Sequence, residues 1–447
     1  MTIKTICFHT GVRVFLVALL TLPAAAWGKT KPAEQASAST QNTWIQKTPN
    51  IPEQQQSFMQ AVKLGNIERV RFHLNHGVAA DDKQDGKYTG LFAASAKDRP
   101  AIAELLLQHG ANVNAQGPGG WSPLMIAAFH GHTALITILA KHGAKLELQN
   151  YEGKTALMFA VENGQTEAVR QLIKAGANVN SRVHGDTKKG ESVLTLAIAR
   201  QQHECIDLLL KSHADIKITQ PVAAAPLVQA ALHNDTTTLE KLIGNGAKLK
   251  ASYGQCNSLL HLIVPFAKAE TLAFLLAHGA DPVAANQAGK SAFMIAAEAG
   301  NTDAIGAFLN VVDSKQKNAA LQAAAGKGLK NVVELLSRNG AAINSQNQAG
   351  QTALMLAAKG RHAKLVSYLL ASGADPQRED ASGRNALMYA VTTALPRADI
   401  VKQLIAAGSG ITHRDNNGNT ALQLALMGPL KPGREITGLL QPRATGQ

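Results

Sequence analysis

The sequence predicts an all-α solenoid of about 12 helix-turn-helix repeats joined by short β-turn fingers. Three observations lead there. Gly-Ala pairs recur 33 residues apart, at Gly110-Ala111, Gly143-Ala144 and Gly176-Ala177, at Gly246-Ala247 and Gly279-Ala280, and at Gly340-Ala341 and Gly373-Ala374. A short box recurs in the same register: Ser122-Pro123-Leu124-Met125, Thr155-Ala156-Leu157-Met158, Ser291-Ala292-Phe293-Met294 and Thr352-Ala353-Leu354-Met355. Between box and pair lie apolar runs such as Ala353, Leu354, Leu356, Ala357 and Ala358, then Leu365, Val366, Leu369 and Leu370, the second at helical spacing.

Residues 350–383 show one unit in full. Gly360 separates the two helices and lets the chain turn without a Cβ clash. Gly373 ends the second helix as a C-cap. Asp380, Ser382 and Gly383 then supply turn chemistry. This period, box and cap resemble the ankyrin repeat, and the resemblance covers residues 56–441. It implies one array in which each unit contacts its neighbours, with protein binding through the concave face. The family's box usually has His in its fourth place. Here Met mostly stands there, and Ser258-Leu259-Leu260-His261 keeps the histidine, so weaker local hydrogen bonding is expected at the Met boxes.

In chain order, residues 1–28 read as a secretory signal peptide. Lys4 and Arg13 form a positive start, Val14 to Leu22 an apolar core, and Ala24-Ala25-Ala26 a cleavage site. Residues 29–55, rich in Lys, Thr, Pro, Ala, Gln and Ser, read as a disordered linker, with Trp44 placed to fold back on the first repeat. The first pair is Phe58 to His76, turning at Gly65-Asn66. The second is Tyr88 to Asn114, and the third and fourth span Trp121 to Asn180. Residues 88–180 and 319–441 are regular, and 181–318 are degenerate. An insertion falls in 181–191. The fifth unit, Ser192 to Lys217, has Gln201 in place of the interhelix glycine and Ser212-His213-Ala214 in place of Gly-Ala. The sixth, Pro226 to Lys250, lacks a proper box, and the seventh, Ser258 to Val283, carries Pro265 between its helices. The eighth, Ser291 to Leu309, lacks its finger, and its step to Ala320-Leu321 is 28 residues, short of the period. The ninth to eleventh units begin at Ala319, Thr352 and Asn385; a twelfth, Thr420 to Leu440, is the C-terminal cap, and 442–447 form a tail. Weak units are expected to open first.

The net charge is +13, and loss of Lys4 and Arg13 with the signal leaves +11. A basic balance admits nucleic acid, a membrane surface or an acidic protein. The basic residues are scattered, and the densest knot (Arg182, His184, Lys188, Lys189) reads as a solvated loop, so nucleic acid is disfavoured. After signal removal no stretch is long and apolar enough to span a membrane. Cys205 takes an apolar place in a second helix and Cys256 a loop in a later repeat, farther apart than the roughly 4.4–6.8 Å between bridged Cα atoms.

His76, His109, His142 and His278 close second helices, where cations are favoured, and a metal ladder would need rings closer than neighbouring repeats place them. The Ser and Thr at box starts read as helix N-caps. Nucleophile elbows, phosphate loops and paired carboxylates are missing from the sequence, so neither enzyme activity nor a cofactor or metal is expected.

The remaining signal is recognition. Finger-tip positions by register are Trp121, Tyr151, Glu152, Lys154, Gln287, Lys290, Gln348, Gln351, Arg384 and Asn419. Trp121 and Tyr151 belong to adjacent fingers and form one patch with Phe129 and His130, the residue types that anchor interfaces. Equally, Trp121 packs against its neighbouring finger; both readings stand. The sequence resembles bacterial exported ankyrin proteins, which implies scaffolding or protection of a partner in the periplasm, with a monomer expected. A secreted effector that binds host proteins shares every feature except destination, and a basic nucleic-acid or acidic-polymer binder is the remaining alternative.

Overall fold

Most repeats start where a small polar side chain captures a backbone amide three residues on. Ser122 accepts from Met125 N at 3.3 Å, Ser192 from Thr195 N at 3.2 Å, Ser291 from Met294 N at 3.2 Å and Asn385 from Met388 N at 3.1 Å. This satisfies an amide that the first turn would otherwise leave unpaired. The computed structural model describes residues 51–84, 87–183, 190–218, 222, 225–255, 257–428 and 433–441.

Among the described residues there are twelve helix pairs. They are α1 (Ile51–Leu64) with α2 (Ile67–Asn75), α3 (Gly90–Ala96) with α4 (Pro100–Gln108), α5 (Pro123–His130) with α6 (Thr133–Lys141), and α7 (Ala156–Glu162) with α8 (Thr166–Lys174). Next come α9 (Val193–Ala199) with α10 (His203–Lys211), α11 (Pro226–Leu232) with α12 (Thr236–Gly244), α13 (Leu259–Ile263) with α14 (Ala269–Ala277), and α15 (Ala292–Ala299) with α16 (Thr302–Phe308). The last four are α17 (Ser314–Gly326) with α18 (Lys330–Arg338), α19 (Ala353–Lys359) with α20 (Ala363–Ala371), α21 (Ala386–Val391) with α22 (Ala398–Ala406), and α23 (Ala421–Met427) with α24 (Arg434–Leu440). First helices pack on first helices and second on second along the array. α7 is buried from Ala156 to Val161, whereas α8 buries one face, Ala168, Val169 and Leu172. One apolar core runs from Phe58 to Leu440. Among the described residues no helix is long and apolar enough to cross a membrane.

The fingers carry almost no strand. β1 (Lys83–Gln84) pairs antiparallel with β2 (Tyr88–Thr89), and later fingers close with single bridges such as Ala285 to Ser291 and Arg414 to Thr420.

Several details correct the sequence reading. α1 begins at Ile51, inside the stretch assigned to the linker. The ninth first helix begins at Ser314, because Asp313 forms a capping box with Gln316, so residues 314–318 are helix. In the tenth unit the left-handed turn residue is Arg361 (φ 62°), and Gly360 is right-handed at φ −76°. Gly360 answers a close approach: an added Cβ would lie 2.5 Å from the His362 ring and 2.9 Å from Gly326 O. Gln201 (φ 54°) and His213 (φ 60°) take the left-handed positions that glycine holds elsewhere. Cys205 is buried, and burial pushes its thiol up. The signal segment, most of the linker with Trp44, the loop residues His184, Lys188 and Lys189, Cys256 and the tail lie outside the described residues.

Candidate protein-binding face

The fingers are built by one repeated device. A side-chain oxygen two residues into the loop accepts two backbone amides, which fixes a tight turn. Asn150 Oδ1 accepts from Glu152 N at 3.1 Å and Lys154 N at 3.0 Å. Asn286, Asn347, Asp380 and Asp415 do the same in their own fingers. Neighbouring fingers are then tied by a backbone bond: Tyr151 N to Gly119 O at 2.9 Å, Gln287 N to Gln255 O at 3.2 Å, Ala381 N to Ala349 O at 3.1 Å and Asn416 N to Ser382 O at 3.0 Å. The result is a row of tips held in register. These five Asn and Asp residues were missed as a set, although the Asn/Asp-x-x-Gly that recurs before five of the helix starts was there to read.

Tyr151 is 82% exposed, the most exposed large apolar side chain among the described residues. Its ring lies against the backbone of Gly120, where an added Cβ would come within 2.7 Å of it; Gly120 also has φ +77°. Both facts demand glycine there. A rigid aromatic ring is thus presented to solvent on a pinned loop.

Trp121 is half-buried. It stacks on Phe159 with ring centroids 4.1 Å apart and meets Phe129 edge-on at 5.7 Å. Phe129 reaches the exposed His130 at 5.0 Å, and His130 stacks on His132 at 5.3 Å. Partial desolvation of its ring by the neighbouring rings, then His132 and Lys97, hold His130 below the ordinary histidine value. The structure therefore brings Trp121, Phe129 and His130 into one cluster and adds Phe159, which sequence reasoning missed. Phe159 occupies a position filled by Ile126 in the preceding repeat, so it read as core.

Other predicted tips are engaged internally. Lys154 is buried at 9% exposure, and its ammonium contacts Glu162 at 2.7 Å and Glu152 at 3.2 Å. It is a structural cation, and Glu152 is its partly exposed partner. Lys290 meets Glu298 at 2.7 Å. Gln351 donates to Tyr389 Oη at 2.7 Å, and that hydroxyl donates to Asp380 at 2.5 Å. Burial and then the bond to Asp380 raise the Tyr389 phenol above its usual range. Arg384, half-buried, meets buried Asp415 at 3.4 Å. Asn419 closes its own finger turn. Gln287 and Gln348 are exposed tips.

The helix-end histidines hold carbonyls or carboxylates. His76 Nδ1 lies 2.7 Å from Phe72 O and His278 Nδ1 2.8 Å from Phe274 O, while His142 Nε2 lies 3.1 Å from Glu104. His261 takes both sides of its ring into use. Ser258 N donates to Nδ1 at 3.0 Å, and Nε2 lies 2.9 Å from Lys290 O in the next finger. Where Met replaces it, Ser122 N and Thr352 N reach only sulfur, at 3.4 Å, so the Met boxes lack that link to the next finger.

Comparison with known proteins agrees with this architecture. The family model described as ankyrin repeats (3 copies) matches residues 58–150, 116–183, 145–221, 260–347 and 320–415. The chain is 28% identical over 275 residues to the E3 ubiquitin-protein ligase KEG of Arabidopsis thaliana, covering 56% of this chain and 17% of that protein. It is 45% identical over 74 residues to the E3 ubiquitin-protein ligase XBAT33 of the same plant, covering 16% and 14%. It is 28% identical over 198 residues to an L-asparaginase of Dirofilaria immitis, covering 43% and 33%. Among solved structures, the human ASB11 ankyrin repeat domain aligns with a TM-score of 0.41 and 27% identity, over 46% of this chain and 90% of that one. The chain thus spans a third or less of these curated relatives.

Proposed function

The chain belongs to the ankyrin-repeat family, and from that premise we propose that it is an exported protein that binds another protein through its fingers and first helices, scaffolding or protecting that partner in the bacterial periplasm. Ankyrin repeats are protein–protein interaction modules. The observation that supports this site is Tyr151, an 82% exposed ring on a loop fixed at both ends by hydrogen bonds. The loop backbone is already ordered, so a partner that buries the ring meets less of the cost of ordering a loop. The apolar signal at 1–28 supports export.

The ligases and the asparaginase carry activities in whole proteins of which this chain matches 14–33%. Among the described residues the serine–histidine contacts, Ser258 Oγ with His261 Nδ1 at 2.7 Å and Ser57 Oγ with His73 Nε2 at 3.2 Å, belong to a helix cap and to the packing of the first helix pair, and we read the chain as a binding protein. A secreted effector acting on host proteins is the second reading, since the same signal serves both.

Fractionation of producing cells decides destination. A chain shortened by the signal and held in the periplasm is expected. Full-length chain in the cytoplasm overturns export, and accumulation in the medium favours the effector. Crosslinked capture with the wild-type chain and with Tyr151→Ala tests the site, with loss of one abundant partner expected in the variant.

A further inference from the structure

The first-helix face is interrupted between α17 and α19 by a cavity of about 350 Å³ lined by Ala319, Gln322, Ala323, Gly326, Asn347 and Leu356. Two departures from the repeat fall at this unit. The connection from α16 to α17 runs directly from Leu309 to Asp313 and builds no finger, and it leaves Val311 54% exposed. In addition, α17 carries Ala323 and Gly326 where α15 carries Ile295 and Glu298 and α19 carries Leu356 and Lys359.

Gly326 is required neither by its backbone nor by its neighbours. It lies outside the left-handed region, and an added Cβ would meet only Leu356 Cβ, at an ordinary 3.9 Å. Gly326 is the last residue of α17, and its missing side chain leaves the space open.

Lysines flank the lining residues along the chain: Lys327 follows Gly326, and Lys359 ends α19 three residues beyond Leu356. Lys327 and Lys290 converge on Glu298 at 3.3 and 2.7 Å, with their side chains half exposed. Lys359 lies beyond, its ammonium 5.8 Å from the Tyr389 ring centre. Lys315 and Lys317 are on the first turn of α17. Asp313 stands beside Lys315 and Lys317 at the start of α17, so the excess of positive charge belongs to its Gly326 end, where Lys327, Lys290 and Lys359 outnumber Glu298.

We propose that this groove docks an acidic segment of a partner protein, with one large apolar side chain in the cavity and flanking carboxylates on these lysines. The assignment rests on the reading that the first-helix face binds protein, and it adds a partner chemistry and a second contact distinct from Tyr151. The groove is open along the face, which suits a side chain projecting from a peptide more than an enclosed small molecule.

The test is fluorescence anisotropy with the purified full chain and a labelled peptide whose Leu-Phe centre is flanked by aspartates. Binding that weakens with salt is expected. Gly326→Leu fills the cavity and is expected to weaken it about tenfold or more, as loss of a pocket anchor does, at an unchanged or higher melting temperature. Lys327→Gln with Lys359→Gln, which leaves the helix intact, gives an independent loss. A serine-centred peptide and a lysine-flanked peptide are expected to bind poorly. Equal binding to wild type and Gly326→Leu, equal binding of the serine-centred peptide, or no binding to wild type overturns the proposal. Tyr151→Ala is expected to bind this peptide normally, so failure here leaves the Tyr151 reading standing.

Discussion

The indole of Trp121 stacks on the ring of Phe159, centroids 4.1 Å apart at an interplanar angle of 29°. The two residues belong to successive repeats, and Phe129 braces both, at 5.7 and 6.4 Å. The ring cluster is first a joint between repeats three and four. Trp121→Ala is expected to destabilise the chain by about 2–4 kcal/mol, the range for removing a large packed aromatic. Urea denaturation followed by circular dichroism measures it. A loss under about 0.5 kcal/mol, typical of surface substitutions, would refute the joint.

His261 Nε2 lies 2.9 Å from Lys290 O, which links the seventh box to the eighth finger. His261→Leu removes the bonds that Ser258 N and Lys290 O make to the ring, both partly buried, at about 0.5–1.5 kcal/mol each. Met125→Leu, which removes only a weak sulfur contact, is expected to cost less than about 1.5 kcal/mol. Equal losses in the two variants would show that the histidine link is idle.

His213 occupies the left-handed region at φ 60° where Gly143 and Gly176 sit in regular repeats. A left-handed side chain costs roughly 1–2 kcal/mol, offset by the roughly 0.5–1 kcal/mol of entropy that glycine loses on folding. His213→Gly is therefore expected to stabilise the fifth repeat by up to about 1 kcal/mol, read as slower amide exchange in α10. Faster exchange would contradict the strain.

His73 is buried at 8% exposure between Phe58 and Phe72, with Ser57 Oγ 3.2 Å from Nε2. Burial first, then Arg69 and His76, hold it below the ordinary value of 6.5. The fold thus keeps it neutral, while the unfolded chain takes up a proton near pH 6.5. Stability is full above that pH and falls as pH drops from there through the lowered folded value. The protection of α1 and α2 amides, corrected for the intrinsic exchange rate at each pH, is expected to fall between pH 7.5 and 5, and His73→Leu is expected to remove most of the change. Identical corrected protection at both pH values would refute it.

The period and the boxes were legible because local chemistry sets them: Ser122, Thr352 and Asn385 cap helices by reaching three residues, and Gly373 turns the chain alone. Contacts across repeats were harder to see. Lys154 reads as an exposed tip, yet Glu162, eight positions along, draws it inward. Arg361 takes the turn from Gly360 because His362 crowds against that glycine on its way to Gly326 O, 3.1 Å away. The first of these relations spans eight residues and the second about one repeat, and a linear pattern does not order such pairs by distance.

The central claim is that Tyr151 meets a partner while contributing little to the fold. Tyr151→Ala is expected to change stability by no more than about 0.5 kcal/mol. The direct measurement places a photo-crosslinking benzoylphenylalanine at position 151 and, in a second chain, at the exposed second-helix residue Lys364, in cells that export the protein. A single discrete adduct from position 151 that is absent from position 364 is the predicted result. No adduct at 151, or the same adducts at both positions, would contradict the account.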